Sequence, residues 1–484
     1  MDIKAISKNV GMALLVSALF MFISMVISIF NDMDSAMGPL AISGIITLIV
    51  GIFPFIFVKE THDISLKDGF MTMVLAWVLS CVFGMLPYVL WGGDFTIINA
   101  WYESVSGYTT TGGTILSDVE SLPKGLVFWR SSTHFIGGLG IVIFLLLIMP
   151  KRGASKLKLT NIEMSSLAKQ GYHDRPMKAV NIMFFVYIGL IVVETILLVL
   201  AGMPLFDAIN HSFSTVATGG FSTKNNSIAF YDSTVIDVII IVFMILSSLN
   251  FGVLFAAVAS RSFKPLNNPV TKFFLGTFIV LSVVTSLNLI ASGIYDGNWG
   301  RAILDGTFQV SSQISTTGFA IADNNPWPPL ACMMLLYGSF QCGCSGSTNG
   351  GVKSDRMLIL FKSIGHQMKK AMHPSYVSQI KVGTHWVNDE KASQVVTFIC
   401  LYAAVLLTSF FLLLMCGVDV PEAFSGPLTC MSNSGPGMGA IGTMGNYSSL
   451  PSFAKFILTA DMLVGRMELY PIFLVFMTAV KREF

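Results

Sequence analysis

"TTTGG" (Thr109–Gly113) is a small, polar stretch in a chain of 484 residues that is 53% hydrophobic and only 12% charged. Related stretches follow at "VATGGF" (Val216–Phe221), "STTGF" (Ser315–Phe319) and "NSGPG" (Asn433–Gly437). Their key glycines, Gly112, Gly219, Gly318 and Gly435, stand about 100 residues apart, and a fixed period marks an internal repeat. Before each turn comes a long apolar segment and then a short semi-polar one; after it comes another long segment. The short segments are "TIINAWYESVSGY", "LFDAINHSFSTV", "ILDGTFQVSSQI" and "PEAFSGPLTCM". A helix of about 12 residues reaches only about 18 Å, against roughly 30 Å of hydrocarbon, so these pieces dip into a membrane and return.

Two apolar spans precede the first unit, near 9–30 and 37–58. The first long segments of the four units lie near 68–91, 178–202, 270–293 and 394–417, and the second near 124–149, 233–260, 327–364 and 452–480. The expected fold is an all-α integral membrane protein: four membrane–pore-helix–membrane repeats around one pore, plus two additional N-terminal transmembrane helices. The expected units are 1–62 for the two leading helices, then 63–152, 153–265, 266–370 and 371–484 for repeats one to four. The start, "MDIKAISKNVGMALLVSALFMFISMVISIF", has an apolar run about twice the length of a signal-peptide core and no convincing cleavage site, so it is expected to be retained. The seven cysteines are scattered and imply no disulfide framework. Cys342 and Cys344 lack further ligands nearby in sequence, so zinc is not indicated.

Loop charge sets the expected orientation. Lys4, Lys8, Lys59 and Lys67 flank the early spans, and the stretch from Lys151 to Lys178 carries seven positive residues. Arg261, Lys264, Lys272, Lys362, Lys369, Lys370, Lys381, Lys391, Lys481 and Arg482 follow on the same side if each unit crosses twice. The positive-inside rule makes that side cytoplasmic, with both termini there. The opposite side gathers Asp32, Asp34, Asp94, Asp118, Glu120, Asp232, Asp296, Asp323, Asp419 and Glu422. These are either ordinary solvated loop acids or an acidic mouth that concentrates cations.

Non-helical backbone at membrane depth needs a water-filled cavity, because lipid cannot satisfy its N–H and C=O groups. Four dipping turns therefore point to one central pore of quasi-fourfold symmetry. A dehydrated monovalent cation wants several oxygens in place of its water shell, and backbone carbonyls supply them without net charge. Glycine lets the chain enter φ > 0 regions to aim those carbonyls. The candidate ion ligands are Thr110, Thr111 and Gly112; Ala217, Thr218 and Gly219; Thr316, Thr317 and Gly318; and Asn433, Ser434 and Gly435. Each short helix would point its negative dipole end at the ion.

"GSFQCGCSGSTNGGVKSDR" (Gly338–Arg356) interrupts the second segment of the third unit. A phosphate-loop reading fails because Val352 separates Gly351 from Lys353, where the motif needs Gly-Lys-Ser/Thr directly. Gly346, Ser347, Thr348, Asn349, Gly350 and Gly351 instead read as an unwound segment lining the cavity below the turns, with a structural kink as the alternative. "ADMLVGRMELYP" places Asp461, Arg466 and Glu468 in the last span, where charge is costly and defaults to function. Arg466 is either a barrier in a cation pathway or a packing residue paired with Asp461 or Glu468. Arg130, His134 and Glu194 read as buried polar contacts between units. No nucleophile–base or metal constellation stands in the spans, so no enzyme is expected, and no nucleic-acid partner is expected.

These repeated units, with "TTTGG", "ATGGF", "TTGF" and "SGPG", resemble the Trk/Ktr/HKT superfamily of potassium transporters over nearly the whole chain. The two leading helices and the glycine-rich break resemble its bacterial TrkH branch in particular. The resemblance implies a selectivity filter marked by Gly112, Gly219, Gly318 and Gly435. Sodium-favouring plant relatives carry Ser at the first position, so Gly112 implies K⁺ as the transported ion. It further implies an intramembrane gate at Gly346–Gly351, Arg466 narrowing the pore beneath the filter, and a homodimer with one pore per chain. The implied location is the bacterial inner membrane. The implied partner is a cytosolic nucleotide-binding regulatory ring of TrkA type, docking on the basic inner loops. The fourth unit departs from the Thr-Gly pattern at Ser434 and Pro436, which weakens strict fourfold ligation. A K⁺/Na⁺ or K⁺/H⁺ symporter remains the alternative, since repeats with midplane sites also describe coupled transporters.

Overall fold

The computed structural model describes residues 2–58, 66–148, 176–373, 379–383, 385–467, 469 and 472. The basic loop after Ile148, together with Lys59, Glu468, Lys481, Arg482 and most of the last span beyond Met467, lies outside the described residues.

Helices α1 (Ile3–Phe30) and α2 (Met37–Phe57) open the chain. Asp2 starts α1 by accepting from the N–H groups of Lys4 and Ala5, the service that N-cap carboxylates perform. Ser17, Ser24, Ser28, Ser43 and Thr47 are buried along the two helices, whereas Leu19, Ile49, Phe53 and Ile56 are exposed. Small polar residues inside and large apolar ones outside suit helices packed in hydrocarbon.

The rest of the chain runs α3 (Leu66–Gly84), α4 (Leu86–Trp91), α5 (Ile97–Tyr108) and α6 (Lys124–Ile148). Next come α7 (Pro176–Leu200), α8 (Leu205–Val216), α9 (Thr234–Ser248) and α10 (Phe251–Ser260). Helices α11 (Pro269–Ser292), α12 (Trp299–Ile314), α13 (Pro329–Phe340) and α14 (Ser354–Met372) follow. The last three are α15 (Asp389–Met415), α16 (Val420–Ser432) and α17 (Ser452–Arg466). Two small ladders accompany these helices: β1 (Gln341–Cys342) runs parallel to β2 (Val352–Lys353), and β3 (Ile380–Val382) pairs antiparallel with β4 (His385–Val387).

Among the described residues six helices are long and apolar enough to cross a membrane, or seven if one bent pair counts as a single span. The segment 233–260, expected to be continuous, instead bends by 105° between α9 and α10. Leu249 is extended there, and the Asn250 side chain caps α10 by accepting from Val253 N–H. The α13–α14 break falls where the glycine-rich stretch interrupts the helix.

Packing between the units is cyclic. Helix α6 packs on α8, α9 on α12, α13 on α16, and α17 on α5. Each helix that follows a turn thus supports the pre-turn helix of the next unit, and the fourth closes on the first. The core follows the same division, with one apolar cluster joining the leading helices to α5, α6, α16 and α17 and another joining α7, α11, α12 and α13.

Candidate ion pathway

The four short helices end alike. Thr110, Thr218, Thr316 and Asn433 each turn left-handed, with φ of 54°, 56°, 54° and 58°. A β-branched residue at positive φ is a strained outlier, and such strain concentrates at functional sites. The next residue in each unit donates its N–H into the last turn of its helix: Thr111 to Ser106, Gly219 to Ser214, Thr317 to Ser312 and Ser434 to Thr429. The residue after that is a left-handed glycine in every case: Gly112, Gly220, Gly318 and Gly435, with φ of 79°, 84°, 83° and 80°.

This fixes the register and changes one expectation. In the second unit the geometric partner of Gly112 is Gly220, not Gly219, and Thr218 rather than Ala217 stands with Thr110. Gly219 matches Thr111, Thr317 and Ser434. Sequence held a usable signal: Gly220 precedes Phe221 as Gly318 precedes Phe319, so aligning on Gly-Phe rather than Thr-Gly gives the observed register.

The turns touch one another in a closed cycle. A Cβ on Gly112 would overlap the carbonyl oxygen of Gly219, and one on Gly220 that of Thr317. A Cβ on Gly318 would fall 2.5 Å from the Ser434 oxygen, and one on Gly435 2.5 Å from the Thr111 oxygen. Glycine is therefore required twice over, by backbone conformation and by the neighbour's carbonyl.

The side chains depart from fourfold symmetry in one place. Hydroxyl pairs Thr109/Thr111, Ser315/Thr317 and Ser432/Ser434 stand 2.8, 2.8 and 2.9 Å apart. The second unit has Ala217 and Gly219 instead. The His134 ring occupies the space a Gly219 side chain would need, bonding Ser214 Oγ at 3.1 Å and stacking on Phe221 at 4.1 Å. Thr110 Oγ1, Thr316 Oγ1 and Asn433 Oδ1 are buried without a protein partner. Buried oxygens of that kind call for water or an ion.

A buried ion pair braces the first two turns. Arg130 Nε donates to Glu103 Oε1 at 2.8 Å, and both side chains are sealed from solvent. The guanidinium also donates to the Ser222 carbonyl and Thr114 Oγ1, and lies over the Phe221 ring. Glu103 further accepts from Thr114 Oγ1 and Ile115 N–H. Arg130 and His134 therefore link the first two units, as expected. Glu194 is buried on α7. Toward the outside, Asn225 ties the same units: its amide donates to Asp118 at 2.9 Å and it accepts from Val119 N–H at 2.6 Å. The Asn225 amide, with the N–H groups of Ser121 and Glu120, holds the Asp118 carboxyl below the usual carboxylate range.

Beneath the turns lies the loop 343–351, bounded by the β1/β2 pairing. It reaches three units: Thr348 Oγ1 donates to the Val216 carbonyl at 2.9 Å, Asn349 Nδ2 to Ile314 at 3.5 Å, and a Cβ on Gly350 would overlap Asn433 and Ser432. The α9–α10 break meets it, with Asn250 Nδ2 donating to Ser345 O at 2.7 Å and Phe251 N to Gly346 O at 3.0 Å. Arg466 completes the set. Its Nη1 donates to Thr348 O at 2.7 Å and its Nη2 to Gly137 O at 2.9 Å. Asp461 bonds Ser409 at 2.8 Å instead of Arg466. Sequence reasoning missed Tyr447, whose hydroxyl donates to the Gly435 carbonyl at 2.6 Å; no motif marks it.

Apolar spans around a polar centre of glycine turns, with unpartnered buried oxygens on Thr110, Thr316 and Asn433, define an integral membrane protein of the ion-transporter class. The TrkH family model, described as cation transport protein, matches residues 40–483. The chain belongs to this TrkH family of Trk potassium transporters. It is 35% identical over 428 residues to the Trk system potassium uptake protein TrkH of Salmonella typhimurium, covering 88% of each chain. The Halomonas elongata protein of the same name is 32% identical over 440 residues, covering 90% of each. The crystal structure of the potassium transporter TrkH from Vibrio parahaemolyticus superposes with a TM-score of 0.88 at 30% identity, covering 98% of both chains. These relatives are named as transporters, not enzymes.

Proposed function

We propose that the chain carries K⁺ inward across a bacterial inner membrane through one filter built from its four turns. The observation that carries this reading is the closed cycle of contacts from Gly112 to Gly219, Gly220 to Thr317, Gly318 to Ser434 and Gly435 to Thr111. A ring of strands so close leaves carbonyl oxygens as the available ligands, which is how a K⁺ filter replaces a hydration shell. The ligands are Thr110, Thr111 and Gly112; Thr218, Gly219 and Gly220; Thr316, Thr317 and Gly318; and Asn433, Ser434 and Gly435. The four units 63–152, 153–265, 266–370 and 371–484 each supply one turn, and residues 1–62 brace the first.

In this reading Gly346–Gly351 form the gate and Arg466 holds it shut. Two chains pair, each with its own pore, and a cytosolic nucleotide-binding ring opens the gate. That ring contacts the basic inner face, on which Lys362, Lys369 and Lys370 of α14 are exposed. Purified protein in liposomes tests the reading. Flux should favour K⁺ over Na⁺ and reverse with the K⁺ gradient alone. Equal K⁺ and Na⁺ flux contradicts the filter, and flux that needs a Na⁺ or H⁺ gradient establishes the symporter.

A further inference from the structure

The four left-handed glycines are alike in backbone but not in what their carbonyls do. Among the described residues no hydrogen bond is made to the carbonyl of Gly112, Gly220 or Gly318, whereas that of Gly435 accepts the Tyr447 hydroxyl at 2.6 Å. Tyr447 stands twelve residues beyond Gly435, in the segment between α16 and α17. It is buried, with 2% of its surface exposed. Its backbone N–H donates to the Thr114 carbonyl at 2.8 Å, just past the first turn. Its ring packs on Tyr102 at 5.2 Å between centroids. A Cβ on Gly113 would fall 2.9 Å from both the Tyr447 ring and the Tyr102 hydroxyl. The ring therefore wedges where the fourth turn closes on the first, held by a backbone bond on one side and an aromatic neighbour on the other.

We infer that Tyr447 is a positioning residue for ion selection, fixing the carbonyl of the fourth turn through its hydroxyl. The inference rests on the filter reading above. The fourth turn is where help is needed. It carries Ser434 and Pro436 in place of the Thr-Gly pattern. An O–H···O=C bond from a rigid, buried phenol fixes the peptide plane, so the remaining oxygens of that turn hold their spacing around an ion. A cage that can contract accepts Na⁺; one that cannot favours K⁺. A side chain outside the ion path thereby sets selectivity, through a carbonyl that accepts one hydrogen bond and keeps its second lone pair for an ion.

The test is the K⁺/Na⁺ flux ratio of the full chain in liposomes, alongside the melting temperature. Tyr447→Phe keeps the ring and removes the donor. A neutral hydrogen bond contributes modestly, so the ratio should fall by about two- to tenfold. Tyr102→Phe touches the same ring without reaching Gly435 and should leave the ratio unchanged. If Tyr447→Phe is not recovered, Tyr447→His, smaller and with a shorter donor, should lower the ratio as well. Gly112→Ser run in parallel separates two failures. A shift there with none in Tyr447→Phe overturns the Tyr447 role and leaves the filter standing. No shift in either, nor in the Ser variants of Gly220, Gly318 and Gly435, overturns the filter reading itself. Equal shifts in Tyr447→Phe and Tyr102→Phe reduce Tyr447 to packing and also overturn the role.

Discussion

Arg466 and Thr348 lie 118 residues apart and meet in a 2.7 Å hydrogen bond from the guanidinium to the loop carbonyl. The same guanidinium reaches the Gly137 carbonyl of α6. One charged side chain from the fourth unit thus joins the loop of the third to a helix of the first. A charge so deep in a membrane protein is costly and is retained for a purpose. Among the described residues its hydrogen bonds go to neutral carbonyls, and the guanidinium also faces the Trp77 ring.

Replacing Arg466 by alanine removes both latch and charge. Flux per folded molecule should rise while the K⁺/Na⁺ ratio stays put, because its hydrogen bonds go to Thr348 and Gly137 and not to the turn carbonyls. Arg466→Lys separates the two effects. Lysine keeps the charge but presents a point donor, not the planar fork that spans two carbonyls. A latch predicts raised flux in Arg466→Lys; an electrostatic barrier predicts low flux there. Unchanged flux in Arg466→Ala, with a lowered melting temperature, would show a packing residue only.

The loop itself gives a second expectation. Deleting Gly346–Gly351 while the fold is kept should raise flux in the absence of any cytosolic partner. If the shortened protein folds and conducts no faster, the gate lies elsewhere. Gly350→Ala is a milder probe, since its Cβ would push against Asn433 and Ser432; it should hold the loop away from the fourth turn and raise flux in the same direction.

The Glu103–Arg130 pair is a stability element. Arg130→Ala leaves a buried carboxylate without its main partner, at a cost of about 3–5 kcal/mol. Yield and melting temperature should both drop. Because the two residues share one network, the double variant with Glu103→Gln should lose less than the sum of the singles. Additive losses would show that the pair is not coupled.

The membrane class and the four glycine turns were legible because they are written in apolar length and local composition. A short segment of about 12 residues that cannot span announces itself without any structure. The Gly338–Arg356 break was legible for the same reason, being polar and rich in glycine where a helix should continue. What escaped was set by tertiary contact. The turn register in the second unit depends on His134 filling the space where other units place a hydroxyl pair, so Thr-Gly matching slipped by one residue. The α9–α10 bend arises at Asn250, which serves the Gly338–Arg356 stretch across 95 residues of sequence. Arg466 was visible as an oddity, but its choice of carbonyls over Asp461 was not, because carbonyl partners leave no trace in side-chain sequence. Tyr447 is one tyrosine among twelve, marked out only by where its hydroxyl points.

The K⁺/Na⁺ flux ratio in liposomes decides whether the four left-handed glycines form one K⁺-selective ring. Single Ser variants of Gly112, Gly220, Gly318 and Gly435 place a side chain against the neighbouring turn's carbonyl. Gly112→Ser should lower the ratio, its three counterparts should also alter ion preference, and bulkier residues should abolish uptake. An unchanged ratio in all four folded Ser variants would contradict such a ring.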